Sequence, residues 1–232
     1  MSNDIFIAGR NLQRHYRRGS EIVRALDGVD LEIRAGESVC ILGPSGSGKT
    51  TLVNLLSALD VPTAGELEIG GRRVDGLSEA ALVDVRRGML GYVFQQFHLI
   101  PTLTVMENIA LPLLFLRRKV DPAELLRVLE AVGLADRAKH LPKELSGGQM
   151  QRVAIGRALV VRPRVLIADE PTGNLDSHTG EAIFTLFQKT VREDGVALVL
   201  TTHNLALAAR CDRTLTLTDG KIVGTTAAGA RG

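Results

Sequence analysis

The stretch "GPSGSGKTT", residues 43–51, has residue types and a spacing that suit the binding of phosphate groups. It fits the pattern G-x-x-x-x-G-K-S/T and stands between an apolar run and a leucine-rich one, in the order strand, loop, helix. Glycines let the backbone curl so that N–H groups point at phosphate oxygens, and the following helix adds its N-terminal dipole. We expect Lys49 to reach the β- and γ-phosphates and the Thr50 hydroxyl to bind Mg²⁺. The alternative is a flexible turn rich in glycine and serine.

Two adjacent acids follow another apolar run, Val165–Ala168. An acid at a strand end, here Asp169, can hold Mg²⁺ through a water molecule. Glu170 is then placed to polarise a water for in-line attack on the γ-phosphate. The competing interpretation of Glu170 is a charge at the start of a helix, before Pro171.

A single histidine ends a third apolar run. A lone histidine is more often structural than catalytic. His203, however, leaves the predicted sheet at the same edge as the phosphate loop. Its side chain could there hydrogen-bond the γ-phosphate and orient Glu170 and its water.

The elements that must position these side chains are predicted by the apolar runs themselves. None of the runs alternates polar with apolar residues, which favours strands covered on both faces, in a parallel sheet between helices. In open α/β sheets, ligands bind beyond the carboxyl ends of the strands, so the three polar clusters should converge there. The three predicted strands are Val39–Leu42, Val165–Ala168 and Val196–Leu200.

Helices are predicted in the intervals between these strands. Asp121 followed by Pro122 is typical of a helix start, and that helix should run through Val132 and stop at Gly133. Ser146 is expected to cap a helix that continues to about Val161. A surface helix is also predicted from apolar spacing of i, i+3, i+4, i+7 and i+8, at Ile183, Leu186, Phe187, Thr190 and Val191.

Short strands and turns are expected in the first 35 residues and in Leu67–Val74, and we place a small antiparallel sheet there. The period-2 fragment Val29–Ile33 supports this assignment. No repeat or low-complexity linker is evident, so 232 residues are read as one domain with a sizeable core.

Composition limits the functional classes. A net charge of +2 does not indicate a nucleic-acid binder. The two cysteines are too few for a disulfide framework and fit a reducing compartment, with Cys40 expected to be a buried thiol. The first ten residues contain Asp4 and have no apolar core of a signal peptide, and no run approaches the roughly 20 apolar residues of a membrane span.

A second phosphate-binding end is predicted at Leu145–Leu159. Ser146, Gly147 and Gly148 present backbone N–H groups and a hydroxyl at a helix N-terminus. One chain does not need two such ends for one nucleotide. The economical explanation is that this end serves a nucleotide bound to another copy of the chain.

With these motifs in this order, the chain resembles the ATP-binding cassette family, the nucleotide-binding subunits of ABC transporters, over Leu12–Gly224. The resemblance identifies a Walker A motif, a Q-loop, a signature motif, a Walker B motif, a D-loop and a switch histidine. It implies catalytic roles for Glu170, His203, Gln95 and Lys49, with Gln96 as the alternative to Gln95. It implies metal binding by Thr50, Gln95 and Asp169. Contacts with ATP are expected from Tyr16, which would stack on adenine, and from Gly43, Pro44, Ser45, Gly46, Ser47, Gly48, Lys49, Thr50, Thr51, Ser146, Gly147, Gly148, Gln149 and Asp176.

The same resemblance implies a fold, an activity and partners. The expected fold is an α/β P-loop (RecA-like) core with a mostly parallel sheet, at 36–64, 76–96 and 162–232. An antiparallel β part at 1–35 and 65–75 and a helical subdomain at 97–161 complete one domain. ATP and Mg²⁺ are the expected ligands, and two copies would close head to tail around two ATP molecules, each copy supplying one half of each site.

The implied partner is an integral membrane permease, which would hold the protein on the inner face of the cell membrane without direct membrane contact or nucleic acid. The stretch "TVMENIALPLLF" fits part of the permease-binding groove, or ordinary helix core. Finer similarity points to the branch of macrolide-export and lipoprotein-release ATPases, with cell-division signalling through a membrane partner as the alternative. Asn204 stands where the family more often has an acid, so any role of that acid does not carry over.

Two other classes compete with a transport ATPase. Soluble ABC ATPases of DNA repair carry a long coiled coil, for which the interval between Lys49 and Ser146 is too short, and those of translation carry two cassettes in one chain. A kinase-like P-loop enzyme would leave the second phosphate-binding end without a purpose.

Overall fold

The computed structural model describes residues 5–227. The predictions that concern residues 1–4, including the Asp4 argument, and 228–232 lie outside this range. The strands are β1 (Ile5–Arg18), β2 (Glu21–Arg34), β3 (Ser38–Leu42), β4 (Ala64–Ile69), β5 (Arg72–Arg73), β6 (Leu90–Val93), β7 (Val165–Asp169), β8 (Ala197–Thr201), β9 (Arg213–Thr218) and β10 (Lys221–Ala227). The helices are α1 (Lys49–Leu56), α2 (Glu79–Met89), α3 (Val105–Phe115), α4 (Pro122–Ala131), α5 (Gly147–Leu159), α6 (Ser177–Asp194) and α7 (Leu205–Ala208).

A six-stranded sheet with the order β10-β9-β3-β8-β7-β6 forms the centre of the molecule. Its neighbours pair in parallel, except that β10 is antiparallel to β9. Successive residues of β3 enter two different cores, since Cys40 packs with one cluster and Val39 and Ile41 with the other. Because both faces are covered, the strand sequences are continuous apolar runs, and the predicted mostly parallel α/β fold is confirmed.

The N-terminal sheet has the order β2-β1-β4-β5 and is antiparallel, as expected. The expectation of short strands was wrong, because β1 and β2 are 14 residues each. Register shifts interrupt their pairing, for example between Gly9 and Leu12. Asn11, inside that interruption, has a φ of 48°. Each bulge resets the period-2 pattern, so one long strand reads in the sequence as several fragments.

The predicted helix starts are observed. The Asp121 carboxylate accepts a 2.9 Å hydrogen bond from the Ala123 N–H, and Ser146 caps α5. Helix α5 ends at Leu159, two residues earlier than expected, because the chain turns at Arg162, whose φ is 54°, before Pro163. On α6, all five residues of the predicted apolar stripe are buried.

Helix α3 has a buried face and an exposed end, so part of it is helix core and part of it is accessible to a partner. Val105, Ile109 and Leu113 are buried in the core, whereas Leu114 and Phe115 are more than 60% exposed. Both cysteines are buried free thiols. Within residues 5–227, no helix combines the length and apolar character that crossing a bilayer would require.

Candidate active site

The phosphate loop connects β3 to α1 and leaves the first turn of that helix open. Gly48 is the N-cap, with a φ of 103°, and no side chain caps the helix. The first N–H groups of a helix have no intrahelical partner, so those of Lys49, Thr50 and Thr51 are available to a ligand. A side chain at Gly48 would collide with the Ala25 carbonyl oxygen, so both the backbone angle and the space require glycine there.

The side chains of the loop divide into two groups. Lys49 Nζ donates 2.9 Å hydrogen bonds to the carbonyl oxygens of Gly43 and Pro44, which folds the ammonium group over the loop. Thr50 is exposed, whereas Ser47 is 2% exposed and its hydroxyl has no hydrogen-bond partner within the described part of the chain. The Ser47 side chain therefore faces the interior, and its backbone is used within the chain, since the Ser47 N–H donates to the Pro44 carbonyl at 3.3 Å and the Ser47 carbonyl accepts from the Gly220 N–H at 3.0 Å.

The two acids follow β7 at the same edge of the sheet. Strand β8 lies between β3 and β7, and Thr201 of β8 pairs with Asp169 of β7 and with Ile41 of β3. The Thr201 hydroxyl donates a 2.6 Å hydrogen bond to Asp169 Oδ1 and accepts one of 2.8 Å from the Glu170 N–H. Glu170 has a φ of 43°, in the left-handed region that few non-glycine residues adopt.

A carboxylate and an imidazole face each other at this edge. His203 Nδ1 lies 3.6 Å from Glu170 Oε2, with the imidazole 72% exposed and the carboxylate 26% exposed. The next residue, Asn204, caps α7 by accepting hydrogen bonds from the Ala206 and Leu207 N–H groups. Asn204 thus has a structural task as a helix cap, and an aspartate at this position could perform the same task.

Of the two glutamines at the end of β6, Gln95 lies beside this pair. A methyl group at Gly173 would lie 3.2 Å from Gln95 Nε2 and 3.5 Å from Glu170 Oε2, so the amide and the carboxylate flank the same point. Asn174 Nδ2 also approaches the Gln95 carbonyl oxygen, at 3.4 Å. This placement favours Gln95 over Gln96.

The second end predicted to bind phosphate is the capped start of α5. Ser146 Oγ accepts a 3.3 Å hydrogen bond from the Gln149 N–H, and the Ser146 N–H donates to Gln149 Oε1 at 2.9 Å. Within the described residues the Ser146 hydroxyl accepts this bond and donates none, so its proton can be offered to a ligand. The N–H groups of Gly147 and Gly148 belong to the open first turn.

The start of α5 packs against the start of α6, not against the phosphate loop. A side chain at Gly148 would collide with Thr179 Cγ2. Asp176 caps α6 by accepting hydrogen bonds from the Thr179 hydroxyl (2.6 Å) and N–H (3.0 Å), and these bonds hold the pKa of Asp176 below its ordinary value. Between residues 5 and 227, no hydrogen bond joins Ser146–Gln149 to the phosphate loop. The two predicted phosphate-binding ends are therefore separate parts of one chain.

Tyr16 lies on β1 with one ring face already occupied. The Arg14 guanidinium lies 4.8 Å from the ring centroid, and the Tyr16 hydroxyl donates a 3.0 Å hydrogen bond to Asp60 Oδ2. Asp60 also holds Arg14, at 2.8 Å. The ring is thus fixed in place and 36% of the residue is exposed.

The oxygen donors at this edge suit Mg²⁺ better than a transition metal. Thr50, Gln95 and Asp169 offer a hydroxyl, an amide and one carboxylate, the hard donors that Mg²⁺ accepts beside substrate phosphates and waters. No cluster of three His, Cys, Asp or Glu side chains suited to a metal ion occurs within the described residues. The residues present fit a magnesium ion held jointly with phosphates.

Comparison with known proteins assigns the chain to a family. A family model described as ABC transporter matches residues 26–173, which include the phosphate loop, the start of α5 and both acids. The chain belongs to the ABC transporter family. Its fold is that of an ATP-binding cassette, and its activity is ATP hydrolysis.

Relatives and solved structures agree with this family. The chain is 45% identical over 219 residues to the lipoprotein-releasing system ATP-binding protein LolD of Bordetella avium, covering 94% of this chain and 95% of the relative. It is 46% identical to MJ0796, an uncharacterised ABC transporter ATP-binding protein of Methanocaldococcus jannaschii, with 92% and 93% coverage. A dimeric, post-hydrolysis structure of MJ0796 bound to ADP and Pi superposes with a TM-score of 0.89, at 42% identity, covering 97% of this chain and 99% of that one.

Two side chains near the site escaped the sequence analysis. Thr201 links both acids, yet the sequence showed only a polar residue after an apolar run. Arg157 of α5 donates hydrogen bonds to the carbonyl oxygens of His98 (2.6 Å) and Phe97 (2.8 Å), and burial lowers the pKa of its guanidinium. Arg157 thereby links the segment after Gln95 to α5, the helix that Ser146 caps. Neither link follows a local sequence pattern.

Proposed function

We propose that this ATPase hydrolyses ATP at a site completed by a second copy of the chain and that it thereby drives an integral membrane permease. The observation that carries the catalytic part is the pair Glu170 and His203, 3.6 Å apart at the same edge of the sheet as the open start of α1. Glu170 would be the base and His203 the polar group that orients it, next to the position where the γ-phosphate would lie.

Phosphate binding is assigned to the loop from Gly43 to Thr51. The open N–H groups of α1 and its dipole favour anionic oxygens. Lys49 would exchange its two bonds to loop carbonyls for phosphate oxygens, which carry a full negative charge and form stronger hydrogen bonds. The side chain is therefore held close to its working position before the ligand arrives.

Metal binding is assigned to Thr50, Gln95 and Asp169. The Thr50 hydroxyl would be a direct ligand, and Asp169 Oδ2, which accepts no hydrogen bond within residues 5–227, would bind through water. When bound, Mg²⁺ supplies neutralisation of the phosphate charge. The chain's own contribution is to keep these oxygens in place.

Glu170 is proposed as the general base and His203 as its orienting partner. The carboxylate would take a proton from the attacking water, and the imidazole would donate a hydrogen bond to the γ-phosphate. The nearby Gln95 amide would fix the water or the metal. Tyr16, with one face backed by Arg14, would present its other face to the adenine ring.

The shared site is inferred from the separation of the two phosphate-binding ends. Ser146, with its free hydroxyl proton, and the open N–H groups of Gly147 and Gly148 would contact the γ-phosphate held by another copy. The dimeric structure of MJ0796 with ADP and Pi supports this arrangement. Asp176, at the start of α6, would lie at the same interface.

The permease is proposed to bind beside the exposed end of α3. A groove of about 500 Å³ there is lined by Tyr92, Leu111, Pro112, Phe115 and Arg157, with Leu114 exposed nearby. LolD of Bordetella avium is named for lipoprotein release, so extraction of a lipoprotein or another amphiphile is the proposed task. The permease would hold the chain on the inner face of the membrane, and its recovery from membranes with an integral protein tests this part.

The substitution Glu170→Gln tests the catalytic assignment. The amide cannot accept the proton, so kcat should fall by about a hundredfold or more, while the affinity for ATP stays within about threefold. A steady-state phosphate-release assay and calorimetry measure the two quantities. Glu193→Gln, an exposed glutamate of α6 paired with Lys189 at 3.8 Å, is the matched control and should retain the normal rate. Normal turnover by Glu170→Gln would rule out this residue as the base.

A further inference from the structure

Thr201 lies between the strand that leads into the phosphate loop and the strand that ends in the two acids. It is the last residue of β8, the strand between the phosphate-loop strand β3 and the acid-bearing strand β7. Its register places it opposite Ile41 on one side and Asp169 on the other. The residue is fully buried although its side chain is polar. A buried hydroxyl requires partners, and the identity of those partners is informative.

Both hydrogen bonds of the Thr201 hydroxyl go to the two acids. The oxygen accepts the Glu170 N–H at 2.8 Å and donates its proton to Asp169 Oδ1 at 2.6 Å. Because the amide hydrogen occupies one side of the oxygen, the hydroxyl proton has one orientation, toward the carboxylate. A hydroxyl-to-carboxyl bond as short as 2.6 Å is among the stronger hydrogen bonds of a protein.

The Thr201 contact lies at a residue with an unusual backbone conformation, Glu170. Its φ of 43° is unfavourable for a residue with a side chain, and such a conformation persists only where surrounding bonds determine it. The 2.8 Å bond to Thr201 holds the Glu170 amide where the chain enters this conformation. The neighbouring Thr202 differs, because its hydroxyl accepts a hydrogen bond from the Asn204 N–H and serves the turn before α7.

We infer that Thr201 is a positioning residue that sets the metal-binding carboxylate and the catalytic base relative to each other through one hydroxyl. The bond to Oδ1 fixes the rotation of the Asp169 carboxylate and leaves Oδ2 for the metal's water. The bond to the Glu170 N–H fixes the backbone of Glu170, and from that backbone the Glu170 carboxylate reaches the attacking water. This inference rests on the proposed roles of Asp169 and Glu170. It predicts that loss of the Thr201 hydroxyl lowers the turnover rate and raises the Mg²⁺ concentration that the protein requires.

The test compares variants that keep the shape of Thr201 and change its hydroxyl. Thr201→Val is nearly isosteric and removes the hydroxyl, whereas Thr201→Ser keeps the hydroxyl and removes a methyl group. Thr190→Val is the matched control. Thr190 of α6 is equally a buried threonine, but its hydroxyl donates to the Leu186 carbonyl within the helix and touches neither acid. Thermal melts establish that each variant is folded before activity is measured.

We expect Thr201→Val to lower kcat by about tenfold or more with KM for ATP within about threefold. It should also raise severalfold the Mg²⁺ concentration for half-maximal binding of a non-hydrolysable ATP analogue, which calorimetry measures without turnover. Thr201→Ser should restore both quantities to within about threefold of the wild type, and Thr190→Val should leave both unchanged. Equal rates for Thr201→Val and Thr190→Val would overturn the inference. A rate for a folded Thr201→Ser as low as that of Thr201→Val would do the same.

A second pair of variants covers the case in which Thr201→Val does not fold. Thr201→Cys and Thr201→Ser have the same branching and differ in one atom, a larger sulfur in place of oxygen, and a thiol is a much weaker donor and acceptor. The inference requires Thr201→Cys to be slower than Thr201→Ser and to need more Mg²⁺; equal behaviour would contradict it. A wild-type protein that fails to hydrolyse ATP, or an unimpaired Glu170→Gln, would instead contradict the proposed function, whatever the Thr201 variants do.

Discussion

The polar side chains of the site are held by partners within the chain before any ligand binds. Lys49 bonds to two loop carbonyls, Asp169 to Thr201, and Asp176 to Thr179. Each of these bonds places a charged group near the point where the proposed mechanism needs it. Such prior placement lowers the entropy that must be lost when the substrate binds.

The loop lysine gives the first prediction at this scale. Lys49→Ala should weaken ATP binding by about tenfold to a hundredfold, because a charge-assisted hydrogen bond to phosphate is lost. Calorimetry with the nucleotide measures the affinity. Lys189→Ala, which removes an exposed lysine of α6, should bind ATP as the wild type does. Unchanged affinity in Lys49→Ala would remove the role assigned to this residue.

The ring of Tyr16 gives a second prediction. Tyr16→Phe keeps the ring and loses the bond to Asp60, so KM for ATP should change by less than about threefold. Tyr16→Ala removes the stacking surface and should raise KM by about tenfold. The comparison in a steady-state assay separates stacking from the hydrogen bond, and an unchanged KM in Tyr16→Ala would exclude the adenine contact.

At the scale of helices and strands, the sequence predicts some element boundaries and not others. The ends of β3, β7 and β8 were predictable because continuous apolar runs stop at polar residues. The lengths of β1 and β2 were not, since bulges break their pattern. Thr201 escaped because its task depends on the register between β8 and β7, which no local pattern encodes. Gln95 is still a prediction, which its place beside Glu170 supports and which no local pattern distinguishes from Gln96.

Asn108, near the start of α3, is another residue whose role no local sequence pattern predicts. Its side chain is fully buried, accepts a 2.8 Å hydrogen bond from the Ile100 N–H and donates to the carbonyl oxygens of Ile100, Leu103 and Thr104. It therefore replaces backbone bonds for the loop that precedes the helix. The sequence offered only one asparagine among apolar residues.

A stability prediction follows from these bonds. Asn108→Ala should lower the free energy of unfolding by about 2–4 kcal/mol, because several buried backbone groups lose their partner. Glu107→Ala, which removes an exposed member of the capping box on the same helix, should cost about 1 kcal/mol or less. Urea denaturation measures both, and equal losses would show that the Asn108 bonds do not hold this segment.

At the scale of the whole molecule, one chain carries two separate ends that we propose to be different halves of a nucleotide site. The phosphate loop and the acids lie at the carboxyl edge of the central sheet, whereas the start of α5 packs against α6. A head-to-tail pair would bring unlike halves together and would generate two equal sites. Because each site would then depend on both copies, ATP should control association, and association should control hydrolysis.

The central claim, that Ser146 completes a site on another copy, is tested most directly by sedimentation of Glu170→Gln protein with Mg²⁺ and ATP. We predict a dimer with ATP and a monomer without it. Adding Ser146→Arg should abolish the dimer while each monomer still binds ATP, because the long cation fills the space of the γ-phosphate. Ser78→Arg, at the capping serine of α2, is the matched control and should leave the dimer intact. A dimer that persists in the Ser146→Arg protein would contradict the shared site.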